Sequence, residues 1–173
     1  DASTRMRSQP WRIADLANLG EIALIELACN QGHQRAIALG LTHVSKQGGY
    51  DAVVVMDCDG EDRPQEIERL LSVHAQHPEH IVVAQRAERS EGKLFSAFYW
   101  IYKRAFAFMT GQRIDFGNFS LIPAGAVARL VYMPELWNHL AASILRSRLP
   151  VERVATVRGQ RYAGRSSMSF VAL

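Results

Sequence analysis

The run Ala52-Val53-Val54-Val55-Met56, followed at once by Asp57-Cys58-Asp59-Gly60-Glu61-Asp62, constrains this chain more than any other stretch. A short, β-branched, wholly apolar run reads as a central strand buried on both faces, as in a parallel sheet. In open α/β sheets ligands bind beyond the carboxyl ends of the strands. Here that end carries four carboxylates in six residues. Along an extended chain, Asp57 and Asp59 project to one side and Cys58 to the other. Two carboxylates on one side repel unless a cation lies between them. A hard divalent ion, Mg²⁺ or Mn²⁺, meets that need and also binds substrate phosphates. The competing reading is a solvated acidic turn, with Glu61 and Asp62 favouring the next helix N-terminus and Asp62 capping it near Pro64.

The rest of the chain alternates short apolar runs with helical patterns. Ile22–Ala28 reads as a strand, and the breaker Asn30-Gln31-Gly32 leads into a helix over 33–46 that Gly48-Gly49 stops. Pro64 starts a helix running to about His77, with Ile67, Leu70, Leu71 and Val73 turned inward. Ile81–Ala84 is a third strand. Strand, helix, strand, helix, strand is the signature of a parallel α/β sheet. Beyond it come an aromatic helix over 94–109, a short strand over 119–122, helices over 124–132 and 136–147, and a last strand over 151–157.

With 173 residues the chain suffices for one domain and is too short to argue for two. Its net charge of +3 and pI near 9.1 suit phosphate ligands, but the charges are interspersed and leave no nucleic-acid footprint. Two cysteines make no disulfide framework, which points to a reducing compartment. No apolar run reaches the ~20 residues of a membrane span, and the polar start, Asp1 to Arg7, is no signal peptide. Lacking an initiator methionine, the chain reads as a piece of a longer protein. Trp11, Trp137, Cys29 and Cys58 read as packing residues. The six histidines lack metal-ligand spacing, apart from His74 and His77 on one helix face turned to water.

Strand-Asp-x-Asp-Gly also resembles the start of the haloacid dehalogenase-like phosphatases. That class needs a later strand-end hydroxyl and a second acidic pair, and neither follows here. A closer resemblance runs along nearly the whole chain, to the inverting GT-A-fold glycosyltransferases of family 2. Within them the chain looks most like the polyprenyl-phosphate branch, with its dolichyl-phosphate mannose synthases and bactoprenol glucosyltransferases. The motifs that carry it are Asp1-Ala2-Ser3-Thr4; Asn30-Gln31-Gly32-His33-Gln34 with Ala36 and Gly40; Asp57 through Pro64; Arg86 with Arg89; and Arg161 through Ser169.

The resemblance implies a Rossmann-like, mostly parallel sheet flanked by helices, with residues 1–173 forming one partial catalytic domain whose first strands lie upstream. It implies that Asp57, Asp59 and Glu61 hold the metal and that Asp1 lies near the nucleotide base. Arg161 would meet the diphosphate and Arg86 the acceptor phosphate, with Asn30, Gly32 and Ser166 also around the donor. Asn118 stands at the catalytic position where many relatives have an Asp. Asn is no base, and an acceptor that is already an ionised phosphate needs none. Asp115, the nearest other carboxylate, reads as a turn cap. Ser166-Ser167 replaces the family's Ser-Lys, removing one cation.

The expected activity is therefore metal-assisted transfer of a hexose-type sugar from a nucleotide sugar to a polyprenyl phosphate, at the cytoplasmic membrane face of a membrane-anchored parent. Two alternatives stand beside it: a saccharide or other soluble acceptor, and a non-enzymatic nucleotide-binding or interaction domain. An exposed sheet edge would also invite pairing with a second copy.

Overall fold

The computed structural model describes residues 20, 22–86 and 115–162. Asn30 accepts a hydrogen bond from the Gly32 N–H at 2.8 Å, and Gly32 takes φ 77°, turning the chain into helix α1, His33–Gln47. Gly48, at φ 64°, ends that helix by donating its N–H to the Val44 carbonyl. Both positive φ values favour glycine. Strand β1 (Ala52–Val55) follows, then a 3-10 turn at Pro64–Glu66 continuous with α2 (Ile67–Gln76), and β2 (Ile81–Arg86). After the aromatic stretch 94–109, which lies outside the described residues, come β3 (Phe116–Pro123) and α3 (Ala124–Leu130). A 3-10 turn at Pro134–Trp137, α4 (Leu140–Arg146) and β4 (Val151–Thr156) complete the order.

The four strands form one sheet in the order β1-β3-β2-β4. Strand β3 runs antiparallel to both β1 and β2, while β2 and β4 are parallel. The sheet is therefore mixed, which corrects the expectation of a mostly parallel one. Apolar runs read the same in either direction, so nothing in the pattern of 116–123 announced that β3 returns between β1 and β2. The same insertion leaves β1 at an edge among the described residues, half-buried along its length rather than central.

Alternation along the strands divides the core. Ile81, Val83 and Ile122 face one side, where α1, α3 and α4 cover them through Leu41, Val127, Leu130, Leu140 and Ile144. Val82, Ala84, Leu121 and Val154 face the other, where α2 covers them through Leu70, Ile67 and Val73. Each fully buried Leu or Ile contributes about 1.5–3 kcal/mol over leaving it in water.

Several expectations shift. Ile22–Ala28 forms no strand: Ile22, Leu24 and Ile25 are exposed, and no partner strand lies along the outer edge of β1 among the described residues. Leu71 points to solvent, because the arc of α2 on the sheet is narrow and Leu70 fills it. The helix expected over 136–147 breaks at Asn138-His139, where His139 caps α4 by accepting from the Ala142 N–H. Trp137 is 42% exposed, with the Arg35 guanidinium 5.8 Å from its ring, and Cys29 and Cys58 are both exposed, so none of the three is a core residue. Trp11 lies outside the described residues.

Candidate active site at the carboxyl end of the sheet

Strand β1 ends at Val55, two residues before the first aspartate, so Asp57 to Asp62 form a turn rather than a continuation of the strand. The turn is held from within. Asp62 Oδ2 accepts from the Asp57 N–H at 2.8 Å and Asp59 Oδ1 from the Glu61 N–H at 2.9 Å. Asp62 thus braces the acidic turn, and the helical turn at Pro64 has no side-chain cap. Gly60 takes φ 92°, which lets the chain reverse there.

The segment following β4 lies alongside this turn. Gly159 donates its N–H to the Glu61 carbonyl and Tyr162 to that of Asp59, each at 2.9 Å. That pairing delivers two arginines to the carboxylates. Arg161 lies 3.0 Å from Asp59 Oδ2 and 3.1 Å from Glu61 Oε1, bridging the two, and Arg158 also pairs with Glu61. Arg158 was not expected at the site. Its signal was faint: a cation two residues beyond a strand whose far end is fixed only by parallel pairing with β2.

Across the cleft, the β1–β3 register ends at Val55 with Ser120, two residues short of Asp57 on one side and of Asn118 on the other. The His33 ring, at the first position of α1, touches both: Nε2 is 2.7 Å from Asn118 Nδ2 and 3.6 Å from Asp57 Oδ1. The polarity of this network follows from one backbone group. The Leu140 N–H donates to Gln34 Oε1 at 3.0 Å, so Gln34 presents its Nε2 to Asn118 Oδ1 at 3.1 Å. Asn118 therefore turns its NH₂ to His33, whose Nε2 accepts and carries no proton in this arrangement. His33 and Gln34 belong to the motif already singled out, but no role was expected for either.

Asp57, Glu61, Arg63, Asn118, Thr156 and Arg158 are among the residues lining the resulting cleft. Asn30 and Gly32 shape the entry to α1, the element that carries His33. Arg86 ends β2, its backbone paired with Thr156; nothing further of it is described, and Asp1 and Ser166 lie outside the described residues. Asp115, expected as a turn cap, precedes β3 and among the described residues takes Gln85 Nε2 at 3.0 Å and Arg153 Nε at 3.3 Å, because the β2–β4 pairing brings both side chains beside it.

An acidic turn bridged by guanidinium forks, at the carboxyl end of an α/β sheet, suits a phosphorylated ligand and its counter-ion. Residues 11–136 match the family model of glycosyl transferase family 2. The chain belongs to that family. No curated protein matches it. As a family 2 glycosyltransferase it is an enzyme of glycosyl transfer, which would bind a nucleotide-sugar donor, and membership implies the GT-A fold. The matched segment includes His33, Asp57, Asp59, Glu61 and Asn118, and stops short of Arg158 and Arg161. No helix among the described residues is long and apolar enough to cross a membrane.

Proposed function

We propose that this glycosyltransferase moves a hexose-type sugar, with inversion, from a nucleotide donor to a polyprenyl phosphate at the cytoplasmic face of a membrane, assisted by Mg²⁺ or Mn²⁺. The observation that carries the reading is that Asp57, Glu61 and Arg158 line one cleft, where Arg161 bridges Glu61 to Asp59. The donor set is all carboxylate oxygen, the chemistry a hard divalent ion takes, and the ion would replace Arg158 and Arg161 at Glu61 and Asp59. Such an ion would neutralise charge on the departing nucleoside diphosphate. Arg161 already spans two carboxylates, and the same fork geometry suits two phosphate oxygens. Arg86 would meet the acceptor phosphate, Asp1 the base, and Asn30, Gly32 and Ser166 the rest of the donor.

The acceptor assignment is supported by Asn118. Its carboxamide is engaged on both ends by Gln34 and His33 and is no base. A phosphate arrives ionised and attacks without a base. A second reading, a saccharide or other soluble acceptor, needs a group to take the hydroxyl's proton, and the His33 ring beside Asp57 would serve once Asn118 releases its Nε2.

Melting the chain with Mn²⁺ and a panel of nucleoside diphosphates, beside its Asp57→Ala/Asp59→Ala variant, tests the donor half. A metal-dependent rise lost in the variant supports the metal site and names the base; no rise in either chain counts against it. Supplying labelled donor with a short polyprenyl phosphate or a soluble saccharide tests the acceptor half. Label on the lipid supports the first reading, and label on the saccharide alone replaces it with the second.

A further inference from the structure

At the opposite end of the sheet from the acidic turn, His77, His80 and Glu152 come together from two parts of the chain. His77 ends α2, donating its N–H to the Val73 and His74 carbonyls. His80 closes the next turn by donating its N–H to the His77 carbonyl at 3.0 Å and directly precedes β2. Glu152 is the second residue of β4, which pairs in parallel with β2 in the register Val82↔Glu152. The Ile81 N–H adds a bond to the Pro150 carbonyl at 3.0 Å. The backbone thus fixes all three positions through the sheet and a closed turn, with Pro78 restricting the turn further.

The side chains lie close enough to share one ligand. One ligand atom from each of the three lies within 4.8 Å of the others. His80 Nδ1 is 2.9 Å from Glu152 Oε1, and the two imidazoles stack with centroids 5.0 Å apart. An ion pair between His80 and Glu152 accounts for two members and leaves the third unexplained. His77 brings a second imidazole against the first, and protonating both would set like charges together. A single cation would engage both ring nitrogens and the carboxylate. The exposed His77 ring would turn out of the stack about χ2, a broad and soft torsion.

We propose that His77, His80 and Glu152 form a surface site for a borderline transition-metal ion, Zn²⁺ above all, with water completing the coordination. Two imidazoles and one carboxylate suit Zn²⁺, Co²⁺, Ni²⁺ or Cu²⁺, whereas Mg²⁺ prefers an all-oxygen set such as the acidic turn. The ion would tie the end of α2 to the starts of β2 and β4 and stabilise the chain on binding. The site stands independently of the glycosyl-transfer reading, since it shares no residue with the cleft.

The test is titration of the chain with Zn²⁺ by calorimetry and melting, together with the visible spectrum of the Co²⁺ complex, in a Cys29→Ser/Cys58→Ser background that removes the exposed thiols. Expected are a raised Tm and the absorption bands of cobalt bound to nitrogen and oxygen. Affinity should fall at least about tenfold in His77→Ala and in Glu152→Gln. His77 is exposed, so its variant reports on binding even where His80→Ala disturbs the turn. Affinity unchanged in His77→Ala, binding lost with the thiols, or no binding at all would each overturn the proposal.

Discussion

The backbone N–H of Tyr162 donates to the carbonyl of Asp59 at 2.9 Å, and this bond pins the chain beyond β4 to the acidic turn beyond β1. It is the reason two arginines far along the sequence reach carboxylates near its first third. The Tyr162 ring also lies against Gly60, where a Cβ would meet ring atoms at 2.7 Å. Glycine serves there twice, for its φ of 92° and for the space it leaves.

Gly159→Ala is expected to loosen this pairing. A Cβ at Gly159 would fall inside the contact distance of the Gly60 carbonyl oxygen and 3.1 Å from Cγ of Arg63. Overpacking against backbone costs about 1–3 kcal/mol. A urea melt should show a lower midpoint, and donor affinity should fall with it, because Arg158 and Arg161 lose their placement.

Arg161→Lys should fail to restore what Arg161→Ala removes. One ammonium cannot reproduce a fork that spans Asp59 and Glu61. The pairs are part exposed, so stability should change by only about 0–1 kcal/mol. The loss should instead appear in nucleoside-diphosphate affinity, measured by calorimetry with Mn²⁺ present.

Asp57→Ala/Asp59→Ala should lower kcat by roughly 10²–10³-fold, the scale on which removal of a preorganised electrostatic group acts. Sugar transfer should lose its dependence on added Mn²⁺ at the same time. Retained metal-dependent turnover would move the metal away from this turn.

Leu70→Ala and Leu71→Ala form a matched pair that tests the phase of α2. Leu70 is fully buried and Leu71 is 48% exposed. The first should cost about 2–5 kcal/mol and the second stay within about 0.5 kcal/mol, read from denaturant midpoints. Equal costs would rotate the helix.

His139, whose Nδ1 caps α4, has its pKa lowered from 6.5 by desolvation on burial. The unfolded chain therefore binds this proton more readily than the folded one. Stability is full above about pH 6.5 and falls as the pH drops through the unfolded value and then the folded one. Melting between pH 7 and pH 5 should show this decline, and His139→Asn, which keeps a capping oxygen, should flatten it.

Local patterns were legible from the residues because they rest on short-range physics. Gly32 and Gly48 bound α1 through backbone conformation, Pro64 opens the helical turn before α2, and apolar runs mark β1, β2 and β4. A run of carboxylates after an apolar strand marked the cleft, since ligands gather where strands end. Strand direction was not legible: hydrophobic alternation is symmetric under reversal, so the insertion of β3 and the edge position of β1 came only from pairing. The strand expected at 22–28 did not form, because a strand exists only with a partner and none lies beside it among the described residues.

The sequence, with the family resemblance it carries, singled out candidates for the chemistry: the acidic turn, the Asn30–Gln34 motif, Asn118 and Arg161. Only the tertiary structure decided their company. The β1–β3 pairing brought the stretches that carry Asp57 and Asn118 to the same end of the sheet, α1 brought His33 to both, and the chain after β4 carried Arg158 onto Glu61. Likewise spacing paired His77 with His74 on one helix face, whereas the fold pairs it with His80 across a turn and Glu152 across a strand. Contacts between residues distant in sequence are set by sheet register and helix packing, which depend on the whole core at once.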